Sequence, residues 1–341
     1  MLLGVYSLLL SLMMETLEEA ELCFPSLNNS CRKPGRSQLE DVIVFTLLSS
    51  ISVTTVVLNL LVIISISHFR QLHTTTNLLL LSLAVADFLV GFPQMLFLIF
   101  QTSGCWILGD IACTMYYFCG FLAVSVSVGC MVLISIDRYV AICDPLLYPT
   151  KVTMKRVQFS IYLCWIFSAL HASWILRDLL KQPGRYSSCY GDCLVIINFA
   201  EGLVDLIATF FAPFLIITVL YMRVFVVAVS QARAMRSHVT SVTQQHPTVT
   251  AQKSEIKAAK TLGILVVVFL LCSCPYYCFT VAAESNSFDS SSGIVETWLV
   301  YFNFCLNPVI YAFCYPWFRK SVKLIVTLQI LKPDSREANI L

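Results

Sequence analysis

Charge is what this sequence has least of. Only 12% of its 341 residues are Asp, Glu, Lys or Arg, against about 25% in an ordinary soluble domain. A chain this poor in charge and 58% hydrophobic cannot cover a water-facing surface, so an ordinary soluble domain is excluded and a lipid-facing exterior is favoured. Histidine is also scarce, with five in all and none at metal-ligand spacing. No nucleophile stands beside a base in a recognisable pattern, which leaves an enzyme reading without support. The net charge is only +2 and no basic stripe is present, so nothing points to nucleic acid. The alternation of a membrane barrel strand is missing as well.

Long apolar runs are what the sequence has instead. Seven of them are long enough to cross about 30 Å of hydrocarbon as helix; they lie near 42–67, 77–101, 111–136, 159–176, 196–222, 261–283 and 294–315. Backbone facing lipid must satisfy its own hydrogen bonds, so these runs predict helices. The expected fold is an all-α membrane protein, a seven-transmembrane helix bundle over 42–315. An extracellular tail (1–41) precedes it, and a short amphipathic eighth helix (316–326) and a cytoplasmic tail (327–341) follow. Placing the N-terminus outside puts sixteen of the 22 Lys and Arg on the cytoplasmic side, the bias that orients membrane proteins. Residues 1–13 form a short apolar run with no basic start and no small-residue cleavage site. They read as an upstream extension, with Met14 as the initiator. No internal repeat and no series of acidic gates suggests a channel or transporter.

Six of the 15 cysteines fall in outer segments: Cys23, Cys31, Cys105, Cys113, Cys189 and Cys193. An oxidising compartment permits pairing there. Cys113 with Cys193 would pin the outer loop over the bundle, and Cys31 with Cys189 would tie the tail to the same loop. Spacing alone leaves the connectivity open. Asn28-Asn29-Ser30 is an N-glycosylation sequon at Asn28.

Charge inside a span is costly and marks function. Asp87 lies mid-way along the second span, at the depth of Asn59, Ser127, Asn303 and Asn307. Together they read as a hydrated cluster that would hold a cation such as Na+, as a structural hydrogen-bond network, or as both. Asp137-Arg138-Tyr139 closes the third span; Asp137, or Glu255 at the foot of the sixth, could restrain Arg138 in a closed state. Pro93, Pro213, Pro275 and Pro308 each remove a backbone donor inside a span and permit a kink.

In order along the chain, these residues resemble the rhodopsin-like G-protein-coupled receptors. The matching motifs are Asn59 in LNLLVI, LAVAD ending at Asp87, Trp106 and Cys113 around Gly109-Asp110, Asp137-Arg138-Tyr139, Trp165, Pro213 with Tyr221, Pro275, and Asn307-Pro308-Val309-Ile310-Tyr311. NFCLNPVIYAFCYPWF (303–318) resembles the seventh-helix signature of trace amine-associated receptors. A tail carrying Cys23 and Cys31 and the CYGDC loop (189–193) fit the same family, and the stretch from Met14 is similar to the start of its fish members. The resemblance implies the Cys31–Cys189 bridge, a plasma-membrane receptor in olfactory sensory cilia and an amine ligand. It also implies a stimulatory, olfactory-type G protein that raises cyclic AMP. Asp137, Arg138, Tyr139, Glu255, Tyr221, Asn307, Pro308 and Tyr311 would carry the coupling. An opsin is excluded, because 294–315 contains no Lys for a retinal Schiff base.

Two departures from that resemblance matter. Aminergic receptors hold the ammonium with an Asp on the third helix, and here that place is Gly120. Asp205 on the fifth helix replaces it, eight residues before Pro213 and about 12 Å further out along the helix. By i, i+4 spacing, Glu201, Asp205 and Thr209 are expected on one face. A buried carboxylate without a partner is costly, so Asp205 would select cations; it could instead face a vestibule or bond a neighbouring helix. Tyr117, Tyr276, Tyr277, Trp298 and Tyr301 are candidate pocket aromatics able to add cation–π attraction. The second departure is Ser273 where the family carries Trp, which predicts a deeper or wetter pocket floor. A receptor for a non-amine ligand, or one whose amine binding has decayed, is the competing expectation.

Overall fold

The computed structural model describes residues 22–33, 38–103, 105–239, 263–264, 267–278 and 293–340. The apolar runs form long helices: α1 (Gln38–His68), α2 (Thr75–Ser103), α3 (Gly109–Cys143) and α4 (Met154–Ile175). The fifth, α5, is built of three consecutive stretches, Phe199–Leu206, Ile207–Phe211 and Ala212–Val239. The sixth, α6, is described over Val267–Cys278, and α7 is Gly293–Cys314. Four segments, Phe45–His68, Thr75–Pro93, Gly109–Cys143 and Phe199–Val227, are long and apolar enough by themselves to cross a membrane.

The bundle is inside-out relative to a soluble protein. Val53, Val57, Phe92, Phe159, Phe167, Leu215 and Phe225 point outward, while Asn59, Asp87, Ser127, Asn303 and Asn307 are buried. A hydrocarbon exterior imposes no cost on the first group, and the second can be satisfied only by one another. Helix α3 runs through the middle and packs on α2, α4 and α5; α7 packs on α1 and α2.

The middle stretch of α5, Ile207–Phe211, is a π-turn. The Ala212 N–H reaches back five residues to the Ile207 carbonyl. Pro213 follows at once and has no N–H to give the ladder, so the widened turn sits where an ordinary helical bond is already lost. One extra residue in the turn rotates the outer stretch, with Asp205, relative to the inner one.

Three disulfides lock the outer face. Cys113–Cys193 joins the start of α3 to the loop before α5, and Cys31–Cys189 joins the tail to that loop, both as expected. The third, Cys23–Cys105, ties the tail to the loop before α3, with 5.5 Å between Cα atoms. Backbone bonds knit the same region: Cys31 N–H to the Tyr190 carbonyl at 2.9 Å, and Trp106 N–H to the Gly191 carbonyl at 2.8 Å. Gly191 has φ +102°, and a Cβ there would stand 2.9 Å from that of Cys23, so the crossing requires glycine. Asn28 is exposed on this cap.

On the inner face α8 (Pro316–Val326) starts with Pro at its first turn and buries Trp317, Phe318 and Ser321, leaving its basic residues outside. The chain then folds back: Glu337 pairs with Arg70 at 3.0 Å, and the Ile340 N–H donates to Gln71 at 3.1 Å with the Ile340 side chain fully buried.

Candidate functional site

A cavity of about 340 Å³ opens between α3, α5, α6 and α7. Its wall includes Tyr117 and Gly120 from α3, Asp205 from α5, Phe269, Ser273, Tyr276 and Tyr277 from α6, and Tyr301 and Asn303 from α7. Asp205 is the one acidic residue in that lining among the described residues. The structure therefore brings the fifth-helix carboxylate and Gly120 to one space. A Cβ built on Gly120 meets nothing within 4 Å, so this is open volume.

The aromatic wall is tied together by hydroxyls. Tyr116 and Tyr301 share a hydrogen bond of 2.8 Å across α3 and α7, and Tyr117 donates to the Cys193 carbonyl at 3.1 Å. The roof disulfide and the pocket wall are thus one unit. Tyr277 and Thr209 are 2.7 Å apart, and the Tyr277 ring packs on Phe210 at 4.8 Å. The side chain of Trp298 lies outside the described residues, as does Glu255.

Thr209 stays beside Asp205, as the i, i+4 spacing implied: its hydroxyl donates to the Asp205 carbonyl at 2.6 Å and is 2.7 Å from the Tyr277 hydroxyl of the cavity wall, while it also lines a neighbouring cavity towards α4. Glu201 is engaged twice at the rim: it caps its own helix through the Asn198 N–H at 3.3 Å and pairs with Arg177 at 3.1 Å. Asp205 also has a neighbour that spacing could not reveal. His171 on α4 places Nε2 3.5 Å from Oδ1 of Asp205.

Deeper in the bundle Asp87 is fully buried. Ser127 donates to its Oδ1 at 2.8 Å and Asn307 to its Oδ2 at 2.7 Å. Asn59 bridges to α7 by donating to the Phe304 carbonyl at 3.0 Å. The side-chain oxygens of Asn59, Asn303 and Asn307 are buried and accept no hydrogen bond among the described residues. Ser127 and Asn303 also line the ligand cavity, with Ser273 beside them, so the small residue in place of Trp leaves the cavity reaching the Asp87 network.

At the inner end Arg138 and Asp137 form a buried ion pair of 2.7 Å. Two residues not singled out by sequence complete it. Thr76 on α2 donates to Asp137 at 2.9 Å and accepts from Arg138 at 2.6 Å, and Tyr148 in the inner loop donates to Asp137 at 2.8 Å. Burial, and then the Asp137 carboxylate beside it, push the Tyr148 hydroxyl pKa up, so it remains a donor. Tyr139 packs against the Ile142–Val224 contact between α3 and α5, and Tyr221, Pro308 and Tyr311 lie on α5 and α7 facing the core.

Comparison with known proteins agrees with this geometry. The family model of the 7 transmembrane receptors of the rhodopsin family matches residues 58–311. Trace amine-associated receptor 13c of Danio rerio is 35% identical over 337 residues, covering 95% of this chain and 97% of that protein. Trace amine-associated receptor 8b of Mus musculus is 37% identical, covering 92% and 95%. Trace amine-associated receptor 6 of Homo sapiens is 38% identical, covering 94% and 95%.

Proposed function

The chain belongs to the rhodopsin family of seven-transmembrane receptors and, within it, to the trace amine-associated receptors; from that premise we propose that it senses an amine, with Asp205 as the ammonium anchor. As a family member it is a receptor and not an enzyme, a multi-pass protein of the plasma membrane whose partners are a small-molecule ligand and a heterotrimeric G protein. The finer reading is an outward-facing N-terminus glycosylated at Asn28, residence in olfactory cilia, and a stimulatory, olfactory-type G protein raising cyclic AMP.

One observation carries the ligand reading: the Asp205 carboxylate in an aromatic cavity, opposite open space at Gly120. A carboxylate in such a wall carries a desolvation cost that an ammonium relieves through a charge-assisted hydrogen bond of about 1.5–3 kcal/mol. Tyr276, Tyr277 and Tyr301 add ring faces, each able to contribute about 0.5–2 kcal/mol of cation–π attraction. Glu201 is already paired with Arg177 at the rim, so among the described residues the cavity wall offers an ammonium one acidic side chain, Asp205. Ligand seated here touches the wall beside Ser127 and Asn303, and through them biases the Asp87 network. Release of Arg138 from Asp137, Thr76 and Tyr148 would then open the cytoplasmic cleft to the G protein.

Asp87, Ser127, Asn303 and Asn307 would hold a Na+ ion, whose charge would offset Asp87; the buried oxygens of Asn303 and Asn307 that accept no bond among the described residues support that fit. Amine potency should then depend on sodium in the wild type and not in Asp87→Asn; a sodium-independent wild type removes the ion from the account.

The deciding experiment is an amine panel read by cyclic AMP on the wild type and on Asp205→Asn, with surface density measured for both. A response lost in the variant at equal surface density supports the anchor. A response unchanged by the substitution overturns it. The proximity of His171 favours one second reading, a receptor for an uncharged ligand whose Asp205 is answered internally; it predicts no amine response and activation by neutral compounds.

A further inference from the structure

Behind Asp205, the neighbouring cavity towards α4 is lined by a histidine that the amine reading does not use. His171 faces two ways: Nδ1 is 2.9 Å from the Ser125 hydroxyl on α3, and Nε2 is 3.5 Å from Oδ1 of Asp205. The His171 and Asp205 side chains are 15% and 17% exposed. Nε2 is buried and makes no hydrogen bond among the described residues, so the carboxylate is the polar group it confronts.

The tautomer follows from electrostatics. A neutral imidazole carries one N–H, and its other nitrogen is a lone pair. A proton on Nδ1 would leave a lone pair facing a negative oxygen, which is repulsive. A proton on Nε2 presents N–H to Oδ1, and the Ser125 hydroxyl then donates to Nδ1. The attractive arrangement runs from Ser125 through His171 to Asp205, a hydrogen bond at the first step and an Nε2–H facing Oδ1 at 3.5 Å at the second. It draws Oδ1 towards α4, so that Oδ2 is the oxygen the ligand takes.

We propose that His171, oriented by Ser125, is a specificity-determining positioning residue that makes Asp205 a one-oxygen anchor suited to ammonium groups with a single N–H. The inference rests on Asp205 being the ammonium anchor. A tertiary ammonium has one N–H and depends on Oδ2 being held in place. A primary ammonium has three and can follow a carboxylate that swings. Holding Asp205 therefore raises tertiary amines relative to primary amines of the same skeleton.

The test uses matched pairs, 2-phenylethylamine with its N,N-dimethyl derivative and hexylamine with its N,N-dimethyl derivative, on full-length receptor. Surface density, EC50 and maximal response are read for each. His171→Leu is expected to raise the EC50 of the dimethyl member about 10-fold and that of the primary member no more than about 3-fold, with the maximum unchanged. His171→Gln, whose amide Nε2–H stands in for the imidazole N–H, should restore both to within about 3-fold of wild type. Ser125→Ala should move the pair ratio in the same direction as His171→Leu by about 3-fold, and it carries the test if the leucine variant fails to reach the surface. Equal loss for both members, or a leucine variant as potent and selective as wild type, overturns the proposal. If Asp205→Asn abolishes the response while the His171 and Ser125 variants leave the ratio alone, only the positioning role fails. If Asp205→Asn changes nothing, or no pair activates the receptor, the anchor reading and this one fall together.

Discussion

A carboxylate drawn out of water into a helix bundle needs an answering group, and Asp205 can be answered from the cavity or from α4. Its reading as anchor predicts that Asp205→Asn, which keeps the shape and removes the charge, raises amine EC50 by roughly 10- to 100-fold, the equivalent of one charge-assisted hydrogen bond. Concentration–response curves at matched surface density check it. Gly120 and Asp205 were legible as residues facing one cavity, because each is a residue identity at a countable distance from a landmark, Cys113 or Pro213. His171 was not legible, because a histidine in the fourth span has no landmark that fixes its direction. Thr76 and Tyr148 escaped notice for the same reason. They lie 61 and 11 residues from Asp137 and meet it only through the packing of α2 and the inner loop. Tyr148→Phe removes one of the donors holding Asp137, and with it about 0.5–1.5 kcal/mol. Ligand-independent cyclic AMP should rise a few-fold above wild type, and an unchanged basal level would exclude Tyr148 from the restraint.

Among the elements, α5 decides most about the site. Asp205 and Thr209 stay together, with the Thr209 hydroxyl on the Asp205 carbonyl at 2.6 Å, while the π-turn at Ile207–Phe211 rotates this outer stretch relative to the helix that follows it. Deleting Ala208 would restore an ordinary turn and swing the outer stretch by about 100°, one residue's rotation. The expected result is a receptor that reaches the surface but loses its amine response, as measured by surface labelling beside cyclic AMP. Proline made this bend readable as a kink, but the choice of a π-turn over other ways of losing a bond depends on what α3 and α4 present alongside. The floor of the pocket is a second case. Ser273 announced a missing indole, and the structure places it in the cavity wall beside Ser127 and Asn303. Ser273→Trp should fill this space. A loss of potency that grows with ligand length across an n-alkylamine series is expected, and a uniform loss would contradict the geometry.

At the scale of the whole molecule, the tail and loops form a cap held by three bridges, which places the pocket roof under covalent control through Tyr117 and Cys193. Each bridge is worth about 2–4 kcal/mol in constraining the unfolded chain. Cys23→Ser with Cys105→Ser should therefore lower the thermal midpoint of detergent-solubilised receptor while leaving the other two bridges intact by mass spectrometry. Orientation has its own check. If the N-terminus faces outward, Asn28→Gln abolishes an endoglycosidase-sensitive mass shift; a wild type without that shift would count against the outward tail carrying sugar.

The amino-acid sequence by itself determined the membrane class and the landmarks that count out Asp87, Arg138 and Asp205. Hydrophobic length and residue spacing along one helix are local quantities that lipid reads directly. Only the tertiary structure decided that Cys23 meets Cys105, that Thr76 and Tyr148 hold Asp137, and that His171 faces the Asp205 carboxylate. Each depends on the relative rotation of separate helices. In lipid that rotation is set by side-chain packing and polar pairing between helices, which no periodicity along a single segment encodes.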